Sequence, residues 1–163
     1  KLESFEQNRQ LGLVSASVDN WPQTIAAFEK CLEKDPTNVH VMNDLAKAYM
    51  NTGESAKAFN IWNKALKLDP KNPAILEDMI QGHLLIARNL RNQGHFGPAL
   101  AQLKKVFTIM PNRPDVYMEI GNTYAMKKEY ARAVENWDTV LKLDPKNQSA
   151  RQAIQHVKGM MRA

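Results

Sequence analysis

The chain has 163 residues, 44% of them hydrophobic and 24% charged, enough to bury a substantial core and ordinary for a soluble globular protein. Its net charge is +5, but the excess falls in residues 39–113 and in the tail 148–163, too patchy for a nucleic-acid-binding signature. The longest apolar stretch, LLIA at 84–87, is far short of the ~18 residues of a membrane span, and a lone cysteine, Cys31, excludes an internal disulfide or a thiolate metal cluster.

Taken in chain order, four segments echo one another: CLEKDPTN at 31–38, ALKLDPKN at 65–72, VFTIMPNR at 106–113 and VLKLDPKN at 140–147. They begin 34, 41 and 34 residues apart, as expected of an array with one seven-residue insertion. Let the proline of each segment (Pro36, Pro70, Pro111, Pro145) be position 32 of its unit. Position 7 then holds Leu11, Leu45, Ile86 and Ile120, and position 8 holds the small Gly12, Ala46, Ala87 and Gly121. Position 20 is small again (Thr24, Ala58, Ala99, Ala133), position 24 is large (Phe28, Trp62, Leu103, Trp137), and position 27 carries Cys31, Ala65, Val106 and Val140. Both sets have helical spacing, and a break at Gly53 and Gly94 separates them, so each unit reads as two helices joined by a tight turn. The units are about 5–38, 39–72, 73–113 and 114–147, within one domain covering 1–163.

Helix boundaries have local causes. Asn38 and Asn72 are N-cap residues, with Pro73 suited to the first helical position after Asn72. Pro22 and Pro98 fall in first turns, where a missing N–H costs little. In the third unit two registers compete. Counting from Pro73 puts Leu76, Met79 and Ile80 at positions 4, 7 and 8; counting back from Gly94 puts His83, Ile86 and Ala87 there. The second supplies the small residue and is preferred. It predicts a helix over 73–92 whose first seven residues either protrude, or form a ledge at one end of the groove or a contact for a neighbouring protein. Residues 148–161 place Ala150, Ala153, Ile154, Val157 and Met161 on one face, a polar-backed cap for a one-dimensional stack.

This pattern, strongest in DLAKAYMNTGESAKAFNIWNKALKLDP and EIGNTYAMKKEYARAVENWDTVLKLDP, resembles the tetratricopeptide repeat, a 34-residue helix-turn-helix unit. The resemblance covers residues 5–147 and implies an all-α, right-handed α-solenoid of four units plus the capping helix. Positions 2, 5, 9, 12 and 13 share a face of the first helix of each unit. In proteins of this family that face lines a concave groove that takes a peptide or helix. Here the resemblance assigns to it Arg9, Asn43, Lys47, Met50, Gln81, Leu84, Arg88, Arg91, Asn92, Met118, Asn122 and Met126. Lys47, Arg88 and Arg91 make its middle basic, which favours a segment of acidic character. The asparagines suit an extended backbone, and the Met and Leu residues supply adaptable apolar area. The carboxylate-clamping arrangement of one subset of the family does not match these positions.

Nothing in the sequence argues for catalysis, a cofactor or a metal. His40, His83, His95 and His156 lack ligand spacing, and there is no phosphate-cradling loop or nucleophile motif. His83 reads as a satisfied, partly buried histidine, and Cys31 as an inert packing residue. The expectation is a protein-protein interaction module whose partner is another protein, without nucleic acid and without membrane insertion. A self-associating scaffold that meets through its edges or cap is the alternative, which leaves homo-oligomer formation open. No compartment is indicated. Opening on Lys1 rather than Met reads as a fragment or processed product.

Overall fold

The computed structural model describes residues 2–163, with side chains from Ser4 onward; Lys1 lies outside them. Among the described residues there are nine helices and no strand: α1 Leu2–Ser17, α2 Trp21–Lys34, α3 Val39–Asn51, α4 Ser55–Leu68, α5 Pro73–Asn92, α6 Phe96–Ile109, α7 Pro114–Met126, α8 Tyr130–Leu143 and α9 Gln148–Arg162. The chain divides into two compact units, one ending at Gly82 and the other starting at His83, so the division falls inside α5. In the first unit α1 packs on α2, α2 on α3 and α3 on α4; in the second α6 packs on α7, α7 on α8 and α8 on α9.

The turn inside each repeat has one geometry. The N–H of Asn20, Glu54, His95 and Glu129 reaches back to the carbonyl of Ser15, Tyr49, Leu90 and Tyr124 at 2.8–2.9 Å, the six-to-one bond that closes a helix end. The residue before each donor is left-handed: Asp19 (φ +57°), Gly53 (+81°), Gly94 (+83°) and Lys128 (+67°). Two of the four turns therefore carry a glycine signal in the sequence and two carry none.

The repeated octapeptide also has a structural cause. In DPKN and DPTN the aspartate N–H ends one helix, bonding to Cys31 O at 2.9 Å, Ala65 O at 2.9 Å or Val140 O at 2.7 Å. The asparagine opens the next, its Oδ1 accepting from the N–H of Val41, Ile75 or Ala150 at 2.9–3.2 Å. The asparagine Nδ2 then donates back to the aspartate carboxylate at 3.0–3.4 Å. Four residues thus satisfy two helix ends at once. The third segment lacks this closure: Arg113 precedes α7 without a side-chain cap and grips Asp115 instead.

Packing follows the register. Positions 20, 24 and 27 are buried in all four repeats. A methyl group on Gly12 would collide with the Phe28 ring and one on Gly121 with the Trp137 ring, while Trp62 closes to 3.0 Å of the Cβ site of Gly82. His83 is buried, with Nδ1 2.9 Å from Gln102 Oε1, and burial pushes its pKa down.

Three expectations need correction. Leu11, placed at a packing position, is 41% exposed, and Ser15 is buried in its neighbourhood with its hydroxyl donating to Gln23 Oε1 at 2.8 Å. Met161 is 53% exposed, because α9 settles on α8 through Ala150, Ile154 and Val157. The seven extra residues 73–79 do not protrude: Ile75 and Met79 are buried, as is Ile80. Because seven residues are close to two helical turns, α5 uses both registers, one before Gly82 and one from His83 onward.

The left-handed lysine gives a direct test of the turn. Lys128→Gly removes the Cβ penalty of that conformation against the entropy that glycine adds to the unfolded chain. A gain of about 0.5–1 kcal/mol is expected in urea unfolding; a loss would show that the Lys128 side chain contributes more than its backbone strain costs.

Candidate partner-binding surface

The residues assigned to the groove face fall in both compact units. In the first unit Arg9 on α1 lies 4.0 Å from Glu6. On α3, Asn43 is buried, and both ends of its amide are committed: Oδ1 accepts from Trp62 Nε1 at 2.8 Å and Nδ2 donates to Asp78 at 2.7 Å. The expectation that Asn43 meets a peptide backbone is therefore corrected. Lys47 is exposed but stands between two carboxylates, Asp78 at 3.7 Å and Asp44 at 3.9 Å. Burial raises the pKa of Asp44, against the pull of Lys47 and Arg9. Met50 is half-buried, and Gln81, on the exposed side of α5, donates to Glu77 at 2.9 Å. The charges here alternate, so this part of the face is not basic as expected.

In the second unit Leu84 is 1% exposed and belongs to the core, a second correction. Arg88 and Arg91, one turn apart on α5, converge on Glu119 of α7. Arg88 Nε donates to Oε1 at 3.0 Å, and Arg91 Nη1 donates to Oε2. The side chains differ in exposure: 43% for Arg88, 14% for Arg91 and 15% for Glu119. Arg91 also donates to Asn92, which is exposed. Among the described residues the two Nη groups of Arg88 have no hydrogen bond. Along α7, Met118 and Asn122 are half-buried and Met126 is exposed. Asn122 Oδ1 accepts from Trp137 Nε1 at 3.2 Å, leaving its Nδ2 directed elsewhere. Met118 also lines an open cavity of about 550 Å³ where α7 and α9 begin, with Arg113, Pro114, Asp115, Asn147 and Ser149.

The reading from sequence missed Asp78 and the pairing role of Glu119. Charge at a given repeat position is visible in a sequence, but its partner lies 28 to 31 residues away on another helix, and spacing alone does not pair them.

Two family models, both described as tetratricopeptide repeat, match residues 18–77 and 114–147, together more than half of the chain. The peroxisomal targeting signal receptor of Kluyveromyces lactis is 26% identical over 141 residues, 85% of this chain and 24% of that protein. Peroxisome biogenesis protein 5 of Arabidopsis thaliana is 31% identical over 84% of this chain and 17% of its own length. The chain thus spans about a quarter or less of these curated relatives. Among solved structures, MamA superposes with a TM-score of 0.62 at 20% identity, covering 96% of this chain and 82% of MamA. A tetratricopeptide repeat protein from Parabacteroides merdae gives 0.65 at 18%, covering 96% and 61%. At these identities the structures speak for the fold alone, an all-α solenoid of helix-turn-helix units. The repeats at 18–77 and 114–147, together with the helix pairs they encode, make this chain a member of the tetratricopeptide repeat family.

Proposed function

We propose that the chain is a protein-protein interaction module that holds a peptide or helix of another protein against the first-helix face of its repeats. The observation that carries this reading is the second unit's open guanidinium. Arg88 is half-exposed and engages Glu119 through Nε only, with no hydrogen bond on either Nη group among the described residues. Beside Glu119 on α7 stand Asn122, with its amide nitrogen available, and Met118 and Met126, one half-buried and one exposed. A forked donor, an amide and adaptable thioethers suit a segment with acidic side chains better than a small polar ligand. Two arginines against one carboxylate leave a net positive charge there, which steers an acidic segment toward the site. The name of the Kluyveromyces lactis relative, a targeting signal receptor, points toward the same class of role. Catalysis, a cofactor and nucleic acid have no place in this reading.

A second reading, self-association into a scaffold, is favoured by one row of α1. Positions 7 and 10 are buried in α3 (Leu45, Ala48), α7 (Ile120, Thr123) and α9 (Ile154, Val157), where each helix packs on the one before it. In α1 the same positions, Leu11 and Val14, are 41% and 60% exposed, followed by Val18 at 69%. The cap was the expected alternative contact, but Ile154 and Val157 are spent within the fold.

Two measurements separate the readings. Arg88→Glu is expected to weaken binding of acidic peptides on a peptide array by about tenfold or more, since it turns an attractive charge repulsive; an unchanged binding pattern would remove this face from the reading. Sedimentation equilibrium of wild type and Val14→Glu tests the scaffold: a mass rising with concentration only in the wild type supports it, and a monomer throughout rejects it.

A further inference from the structure

The pairing of Arg88 and Arg91 has a consequence for which partners the face accepts; it rests on the proposed reading of that face as a site for an acidic segment. Glu119 is not a peripheral counter-ion. It is largely buried, and so is Arg91, whereas Arg88 leans on the same carboxylate from a more exposed position. Each Glu119 oxygen serves one arginine, Oε1 for Arg88 and Oε2 for Arg91.

Two consequences follow from elementary electrostatics. A carboxylate arriving at Arg88 comes within a few ångströms of another that is poorly screened by solvent, so like charges oppose it. The Arg91–Glu119 pair, both partners mostly out of water, is costly to break by removing one member, whereas Arg88 releases its single Nε bond into solvent at little cost. Arg88 is therefore the mobile member of the three and Arg91–Glu119 the fixed pair.

We propose that Glu119 is an internal competitor for the partner's carboxylate: it holds Arg88 in the free protein, and binding proceeds by Arg88 exchanging Glu119 for an acidic side chain of the partner. Glu119 thereby sets a threshold. A segment with one isolated acid gains too little to displace it, while a run of acids, engaging the Nη fork with two oxygens, displaces it. Glu119 acts through Arg88 and is a positioning residue for partner choice.

The test is fluorescence polarisation with a labelled hexaglutamate peptide, and hexalysine as the control, at fixed ionic strength. Glu119→Gln is expected to bind hexaglutamate about fivefold tighter than wild type, and adding Arg88→Gln is expected to abolish the gain. Because Glu119→Gln leaves Arg91 buried without its anion, a second variant, Arg91→Met with Glu119→Gln, removes the fixed pair together and is expected to keep the gain through Arg88. Wild-type binding with no gain or a loss in both variants would overturn the competitor role while leaving the acidic-partner reading standing. No binding by wild type or either variant would overturn both. Tighter hexalysine binding by wild type than by the variants agrees with an exposed acidic Glu119 and would also contradict the exchange.

Discussion

The contact on which most of this structure depends is a tryptophan held from two sides. Trp62 presents its six-membered ring to Gly82 on α5 and its indole N–H to Asn43 on α3; Trp137 crowds Gly121 on α7 and donates to Asn122 beside it. The ring has room only because the facing residue is small, and the buried N–H is tolerated only because an amide oxygen receives it. One side chain thus fixes how closely two helices approach and also orients an asparagine on the first-helix face. Phe28 does the packing half of this task against Gly12, without a polar group to place. Core and surface meet at Asn122, whose oxygen is taken by Trp137 while its amide nitrogen is left over, whereas Asn43 is spent inside the fold.

The same economy governs charge. Lys47 lies between Asp44 and Asp78, and Arg88 and Arg91 share Glu119, so a stretch that reads as basic by composition is mostly compensated in three dimensions. What remains is local and directional, a guanidinium fork at Arg88 rather than a broad positive patch. On the proposed reading, such a face would select partners by where an acceptor can be placed, more than by net charge.

Much of this was legible in the sequence because repetition averages out noise. The spacing of Pro36, Pro70, Pro111 and Pro145, with small and large residues at matched positions, is consistent with α1 to α9 and with the extent of α5. The turns at Asp19 and Lys128 were silent because their left-handed backbone is imposed by the flanking helices rather than by a glycine. The burial of Leu84 was hidden by the insertion, which lets α5 bury Ile75, Met79 and Ile80 in one register and His83, Leu84 and Ala87 in another. The burial of Asn43 is hidden for a related reason. An asparagine at a surface-type position looks free until a tryptophan nineteen residues away claims its oxygen. Helical periodicity reports which side a residue faces, but it does not report what that residue touches.

The tie between core and face is tested most directly by a double-mutant cycle on Trp62→Phe and Asn43→Leu, read by chemical denaturation. Phenylalanine keeps most of the ring but loses the N–H, and leucine keeps the approximate bulk of the asparagine but loses the amide. A coupling energy of about 1–2 kcal/mol is expected, with the double variant losing less than the two single losses combined. Additive losses would mean that the indole and the amide are merely neighbours, and that packing alone sets the geometry of the face.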